Sequence, residues 1–129
     1  MAIYLLAWHG GELVGRATLL RTTKYEKVSV VLGAIPEVNA LASFIEGRGT
    51  ATAIMREAEL QAGIWDAEIV GLGVEASNHR ARRLYEFLGY KDWGYGSVTD
   101  SWDETSDEGE VTERHADQCL YLTRRLLDP

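Results

Sequence analysis

Two β-rich runs open the chain, Ile3–Trp8 and Leu13–Leu20, and the tetrapeptide His9-Gly10-Gly11-Glu12 between them carries the paired glycines that a tight turn with positive φ favours. They predict a hairpin. Residues 22–35 accept two readings, because Val28, Val30 and Leu32 alternate as in a strand while the segment also has room for a short helix. After Pro36 a strand is predicted over 38–44, then the loop Glu46-Gly47-Arg48-Gly49. A helix follows, with Ala51, Ile54, Met55, Ala58 and Ala62 on one face and Gly63 as its stop. Over 68–74, Val70, Leu72 and Val74 alternate with Ile69, Gly71 and Gly73, the period of a strand. Ala81, Leu84, Tyr85 and Leu88 then fall at i, i+3, i+4 and i+7, which predicts a helix capped by Ser77 or Asn78 and ended by Gly89 in the left-handed region. Tyr90–Ser101 and Val111–Arg125 read as two further strands joined across an acidic turn in which Gly109 takes positive φ. With no internal repeat or linker, this order predicts one α/β (α+β) domain over residues 1–129, a mixed sheet with helices packed on it.

Composition narrows the class. A chain of 129 residues with 46% hydrophobic residues supports one core, and no apolar run approaches the roughly 18 residues of a membrane span. The first residues, MAIYLLAWHGG, lack a basic n-region, so a soluble, cytoplasmic protein with no membrane partner is expected. Cys119 is the single cysteine and is expected to pack as a small apolar residue; His9, His79 and His115 are scattered, so no metal is expected. A net charge of −7 argues against a nucleic-acid partner, which needs a broad basic surface. The charge is uneven, however. Acids gather between Asp100 and Glu113, whereas Arg48, Arg80, Arg82 and Arg83 flank two predicted helix starts, where a small polyanion is accommodated.

Those two strand-to-helix junctions carry the candidate chemistry. At Glu46–Ala51, glycines let the backbone approach a ligand closely, and the free N–H groups of the following helix suit a phosphate or pyrophosphate. A short glycine turn with Arg48 in solvent is the plainer reading of the same residues. A nucleoside-triphosphate P-loop is excluded, because the Lys-Ser/Thr it requires is absent.

The second junction, Asn78-His79-Arg80-Ala81-Arg82-Arg83-Leu84-Tyr85-Glu86-Phe87-Leu88-Gly89-Tyr90, resembles the N-x-x-A-x-x-x-Y-x-x-x-G-Y/F segment of the GNAT superfamily of N-acetyltransferases at every marked position. Upstream, Glu46–Ala51 resembles that family's R/Q-x-x-G-x-G/A pyrophosphate loop at the expected distance. The resemblance covers roughly residues 3–125 and is densest over 38–93. It implies a mixed, mostly antiparallel sheet whose central strands, here 38–44 and 69–74, splay to admit the pantetheine arm of acetyl-CoA.

By the same resemblance, backbone groups of Leu41, Ala42 and Ser43 would bond pantetheine, and the amides of Arg48, Gly49, Thr50 and Ala51 would hold the pyrophosphate. Asn78 would contact the coenzyme through its amide, and Tyr85 would protonate the departing thiolate; one of Arg80, Arg82 and Arg83 is expected to reach a phosphate and the others to be solvated. The acceptor would be a primary amine of a small molecule or peptide, attacking directly in a ternary complex. Glu37, at the start of the strand on the expected acceptor side, is the candidate base; the plainer reading makes it a surface acid. A non-catalytic acyl-CoA-binding or regulatory protein is the alternative.

Three features depart from the family pattern. Glu46 stands where Arg or Gln is usual, the segment from Leu41 to the glycine loop is about two residues short, and the first strand here corresponds to the family's second. Ile3, Tyr4, Leu5, Leu6 and Trp8 make that strand apolar on both faces. A homodimer is expected to cover it, bringing the other copy's Trp93, Trp102 or residues 100–113 over the acceptor side. Residues 22–35 folding back over the same edge within one chain is the other expectation.

Overall fold

In the computed structural model, which describes residues 1–45 and 47–126 with the side chains of 101–103 and 115 left aside, β1 (Ala2–His9) and β2 (Glu12–Leu20) form the predicted hairpin. The ambiguous segment contains a helix, α1 (Glu26–Leu32). There follow β3 (Glu37–Ser43), α2 (Thr50–Ile64), β4 (Ile69–Glu75), α3 (His79–Phe87), the two-residue β5 (Lys91–Asp92), β6 (Val98–Thr105) and β7 (Val111–Arg125). The strands form one sheet in the order β1-β2-β3-β4-β7-β5, with β6 also paired to β7. Among the described residues only β3 and β4 run parallel; every other pair is antiparallel. Among the described residues no helix is long and apolar enough to cross a membrane.

Strand alternation gives each sheet face its own core. Leu19, Val38, Val70 and Leu72 pack beneath Met55 and Ala58 of α2 and Tyr85 of α3, where each fully buried apolar side chain contributes about 1.5–3 kcal/mol. On the opposite face, Tyr25 and Val28 cover Cys119, Tyr121, Trp93 and Val98. Cys119 is thus a buried packing residue. The α1 segment therefore caps the β4–β7 side of the sheet rather than folding over β1. Tyr4 and Leu6 on that edge strand remain 75% and 53% exposed, and the intramolecular cover expected from residues 22–35 does not form.

Two boundaries differ from the sequence reading. Gly63 does not stop α2; the helix runs to Ile64, Trp65 N–H closes it onto Gln61 and Ala62, and Asp66 takes the left-handed conformation at φ 61°. A lone helical glycine costs about 1 kcal/mol relative to alanine, which the buried face of this helix offsets. The predicted strand over 90–101 is broken because Gly94 and Gly96 both adopt φ 88°, so β5 and β6 are separated by a turn. That turn buries Trp93, whose indole N–H donates to Gly96 O at 2.6 Å; Trp93 is not available to another chain.

Candidate functional site

The parallel strands β3 and β4 pair only at Glu37↔Gly71 and Val38↔Leu72, and then diverge. A bulge in β3 sets what lines the gap. Between the pairs Arg16↔Ala42 and Thr18↔Asn39, a single residue of β2, Ala17, opposes both Ala40 and Leu41. Ala40 adopts φ 55°, in the left-handed region. The extra residue reverses the alternation, so Leu41 joins Val38 on the α2–α3 face. A cleft of about 410 Å³ opens there, lined by Leu41 and Ser43 from β3, by Gly49, Thr50 and Ala51 at the start of α2, and by Asn78, Arg80 and Tyr85 of the α3 junction.

At the α2 end, Gly47 and Gly49 adopt φ 69° and 72°, conformations that cost L side chains strain, and no side chain caps the helix. The first-turn amides of α2 have no intrahelical acceptor and sit at the positive end of the helix dipole. Gly15 of β2 brings this terminus close to the sheet, since a Cβ there would lie 2.7 Å from Thr50 Cγ2 and 2.9 Å from Ile54 Cδ1. An anion is the ligand chemistry such a terminus favours.

At α3, Asn78 is the cap: its Oδ1 accepts from Ala81 N–H at 3.2 Å, leaving Nδ2 as the side-chain donor. Tyr85 lies one face down in the core at 8% exposure, and burial pushes its hydroxyl up to about 12, so it holds its proton throughout neutral pH. Arg82 turns back, donating from Nη1 to Ala76 O at 3.1 Å. Of the residues expected to meet a coenzyme, the cleft gathers Leu41, Ser43, Gly49, Thr50, Ala51, Asn78, Arg80 and Tyr85. Ala42, the Arg48 side chain and Arg82 do not line it: Ala42 pairs with β2, Arg48 faces a neighbouring cavity, and Arg82 is engaged as above. Glu46 lies outside the described residues, as does the Trp102 side chain.

On the opposite sheet face, where the strands begin to part, Glu37 is wholly buried rather than a surface acid. Its carboxylate accepts from Thr23 Oγ1 at 2.5 Å, Tyr121 OH at 2.8 Å, Lys24 N–H at 3.2 Å and Asn39 Nδ2 at 3.3 Å. Burial, then the Glu37 charge, drives the Tyr121 hydroxyl well above its usual range.

A sequence profile described as the acetyltransferase (GNAT) family matches residues 2–90. This chain belongs to the GNAT family. It is similar to an uncharacterized N-acetyltransferase of Mycobacterium tuberculosis, 34% identical over 87 residues that make up 67% of this chain and 51% of the relative. The chain thus spans about half the length of the curated relatives it matches. Two solved structures share the fold. One is the PaiA N-acetyltransferase of Thermoplasma acidophilum in complex with coenzyme A (TM-score 0.61, 15% identity, 96% of this chain and 60% of that one). The other is a putative acetyltransferase of Salmonella typhimurium with its cofactor acetyl-CoA (TM-score 0.65, 14% identity, 98% and 65%).

Within this GNAT chain, sequence reasoning missed Thr23, Tyr25 and Tyr121, which lie on the Glu37 side of the sheet beside the splay. Their signal is the alternate glycines of β4. A Cβ at Gly71 would collide with the Tyr121 hydroxyl, and one at Gly73 would stand 2.6 Å from that of Tyr25. In a strand, glycines so spaced mark close approach by other groups, here the rings of Tyr121 and Tyr25, which meet edge to face at 5.7 Å over β4.

Proposed function

We propose that this chain is an N-acetyltransferase that binds acetyl-CoA in the β3–β4 cleft and passes the acetyl group to a primary amine of a small molecule or peptide by direct attack in a ternary complex. The observation that carries this reading is that the splay, the uncapped α2 terminus and buried Tyr85 all open on one cleft. The residues fit the coenzyme: exposed β3 backbone suits the amides of pantetheine, and the α2 amides suit its pyrophosphate. The thioester supplies an activated acyl group with a good leaving group.

The chain's own contribution is proximity and proton management. A free backbone N–H of β3 beyond the splay is placed to stabilise the oxyanion. Tyr85, protonated up to about 12, gives its proton to the departing thiolate. Glu37 is the terminal base. Being wholly buried, it takes the amine's proton through a hydroxyl that already donates to it, Thr23 or Tyr121. A second copy covering Tyr4 and Leu6 of β1 completes the reading, and sedimentation at micromolar concentration checks it: a monomer that transfers acetyl groups refutes the dimer.

Incubating the protein with acetyl-CoA and a panel of amines while following free thiol tests the function. Amine-dependent thiol release supports transfer. Coenzyme-dependent melting shifts without release against any amine would favour the acyl-CoA-binding alternative, and no shift at millimolar coenzyme would remove the site assignment. Coenzyme at 100 times its Kd stabilises by about 2.7 kcal/mol.

A further inference from the structure

Two tyrosine hydroxyls stand over β4 on the Glu37 face of the sheet, and they differ in one respect. Tyr121 OH, over Gly71, donates to Glu37 at 2.8 Å. Tyr25 OH, over Gly73, has no hydrogen bond among the described residues, although only 6% of Tyr25 is exposed. Gly73 is the first residue of β4 beyond the last β3–β4 pair, Val38↔Leu72, and Asn39 is its counterpart on β3. Because a carboxylate only accepts, Asn39 turns its Nδ2 to Glu37, at 3.3 Å, and its Oδ1 is left without a partner among the described residues. We propose that Tyr25 OH and Asn39 Oδ1 are the two acceptors that hold the N–H groups of the acceptor amine, and that they select unhindered primary alkylamines over secondary ones. The inference rests on the acetyl-transfer reading and adds where the amine nitrogen sits and how it is told apart from its N-alkylated form.

A buried hydroxyl with no partner costs free energy that the fold itself does not recover, so it points to a group that arrives from outside. The strands let one in. Along β3, Glu37 is buried, Asn39 half-buried and Ala40 exposed, so the gap opens toward solvent as soon as the pairing ends. The surrounding charge suits a cation: burial first, then the charges of Asp100 and Glu37, push the Tyr25 hydroxyl upward, and it stays protonated and neutral between two acids. An ammonium already rests on this rim, for Lys24 Nζ bonds Asp100 Oδ1 at 3.0 Å and stands 5.2 Å from the centre of the Tyr25 ring. Once an incoming alkylammonium has lost one proton, two N–H groups and one lone pair remain. A hydroxyl rotates, so its oxygen can accept while its own proton turns away. Two acceptors for the N–H groups leave the lone pair free for the acetyl carbon, whereas a secondary amine brings a single N–H and leaves one acceptor unfilled.

Thiol release from acetyl-CoA tests the proposal with two probes, n-butylamine and N-methylbutylamine, on the full chain and on Tyr25→Phe, alongside calorimetric titration of CoA and urea unfolding. The wild type should use n-butylamine about tenfold better in kcat/KM, the worth of one hydrogen bond. Tyr25→Phe should lower kcat/KM for n-butylamine about tenfold, leave N-methylbutylamine nearly unchanged and so bring the two amines together, with CoA affinity as before. Its urea midpoint should hold or rise, since the hydroxyl removed has no partner in the fold. A lower midpoint would mean that the hydroxyl is satisfied within the fold and overturns the proposal, whatever the amines do. So does a primary-over-secondary preference that is the same in the variant, in which case transfer itself stands. CoA binding without thiol release from n-butylamine overturns it as well and favours the acyl-CoA-binding alternative. Absence of CoA binding removes the acetyl-transfer reading along with it.

Discussion

Replacing Gly73 with alanine tests whether the Tyr25–Tyr121 pair depends on a bare strand. A Cβ at this position would stand 2.6 Å from Tyr25 OH, 3.1 Å from its Cζ and 3.3 Å from Cε2, whereas ordinary contact begins at 3.4 Å. The ring must therefore retreat by about 0.8 Å. It has little room to do so, because Tyr25 is 6% exposed and packs edge-on against Tyr121 at 5.7 Å, which in turn packs against Trp93 at 5.3 Å. Overpacking of this kind costs about 1–3 kcal/mol, and relief from glycine's backbone entropy returns about 0.5–1 kcal/mol. A net loss of about 1–2 kcal/mol is expected, read as a lower urea midpoint at unchanged m. Tyr25→Phe removes the atom responsible for most of the clash and leaves a shortfall of about 0.3 Å at Cζ, so the double variant should recover at least half of that loss. Additivity of the two changes within about 0.5 kcal/mol would refute the reasoning, because it would mean that the Tyr25 hydroxyl does not meet residue 73.

Tyr85→Phe should lower acetyl transfer by about 10²-fold while coenzyme affinity stays nearly constant, as expected for a lost proton donor; comparing single-turnover rate with equilibrium titration checks this. Alkaline stability should fall steeply. Tyr25, Tyr85, Tyr90 and Tyr121 are all raised above the usual 10.0, so the folded chain keeps protons that the unfolded chain releases. Stability is then level below the unfolded value and drops as pH climbs past it toward 12, by up to about 1.4 kcal/mol per pH unit for each tyrosine; tyrosinate absorbance followed alongside unfolding measures it. Ala40→Gly should stabilise the bulge by up to about 1 kcal/mol, since φ 55° strains a residue bearing a Cβ, and a lower melting temperature would contradict that account.

Local periodicity and turn chemistry made much of this fold legible. Val70, Leu72 and Val74 sit on the core face as their alternation requires, Asn78 caps α3, and Gly89 takes φ 99° after it. The pyrophosphate-type turn was readable for the same reason, because Gly47 and Gly49 write their conformation into the sequence. What stayed hidden depends on contacts distant in the chain. Val28, Val30 and Leu32 suit either period, and only docking of Val28 beneath the Tyr25–Tyr121 cluster selects the helix. Glu37 resembles any acid ahead of a strand until Thr23, from the β2–α1 loop, and Tyr121, from β7, surround it. The Ala40 bulge leaves no glycine to announce it.

The placement of β7 has a consequence for the order in which the molecule can be built. The inner edge of β4 is closed over its whole length by residues 119–125, as in Leu72↔Leu122, so this pairing must wait for a segment fifty positions further along the chain. Long closures of this kind are slow to nucleate. During vectorial synthesis the hairpin, α2 and α3 can form while β4 still offers an unpaired edge, and Tyr121 reaches Glu37 only when that edge is zipped. The α2–α3 side of the cleft therefore matures before the Glu37–Tyr121 cluster, which makes that cluster the more sensitive to premature release or truncation of the nascent chain.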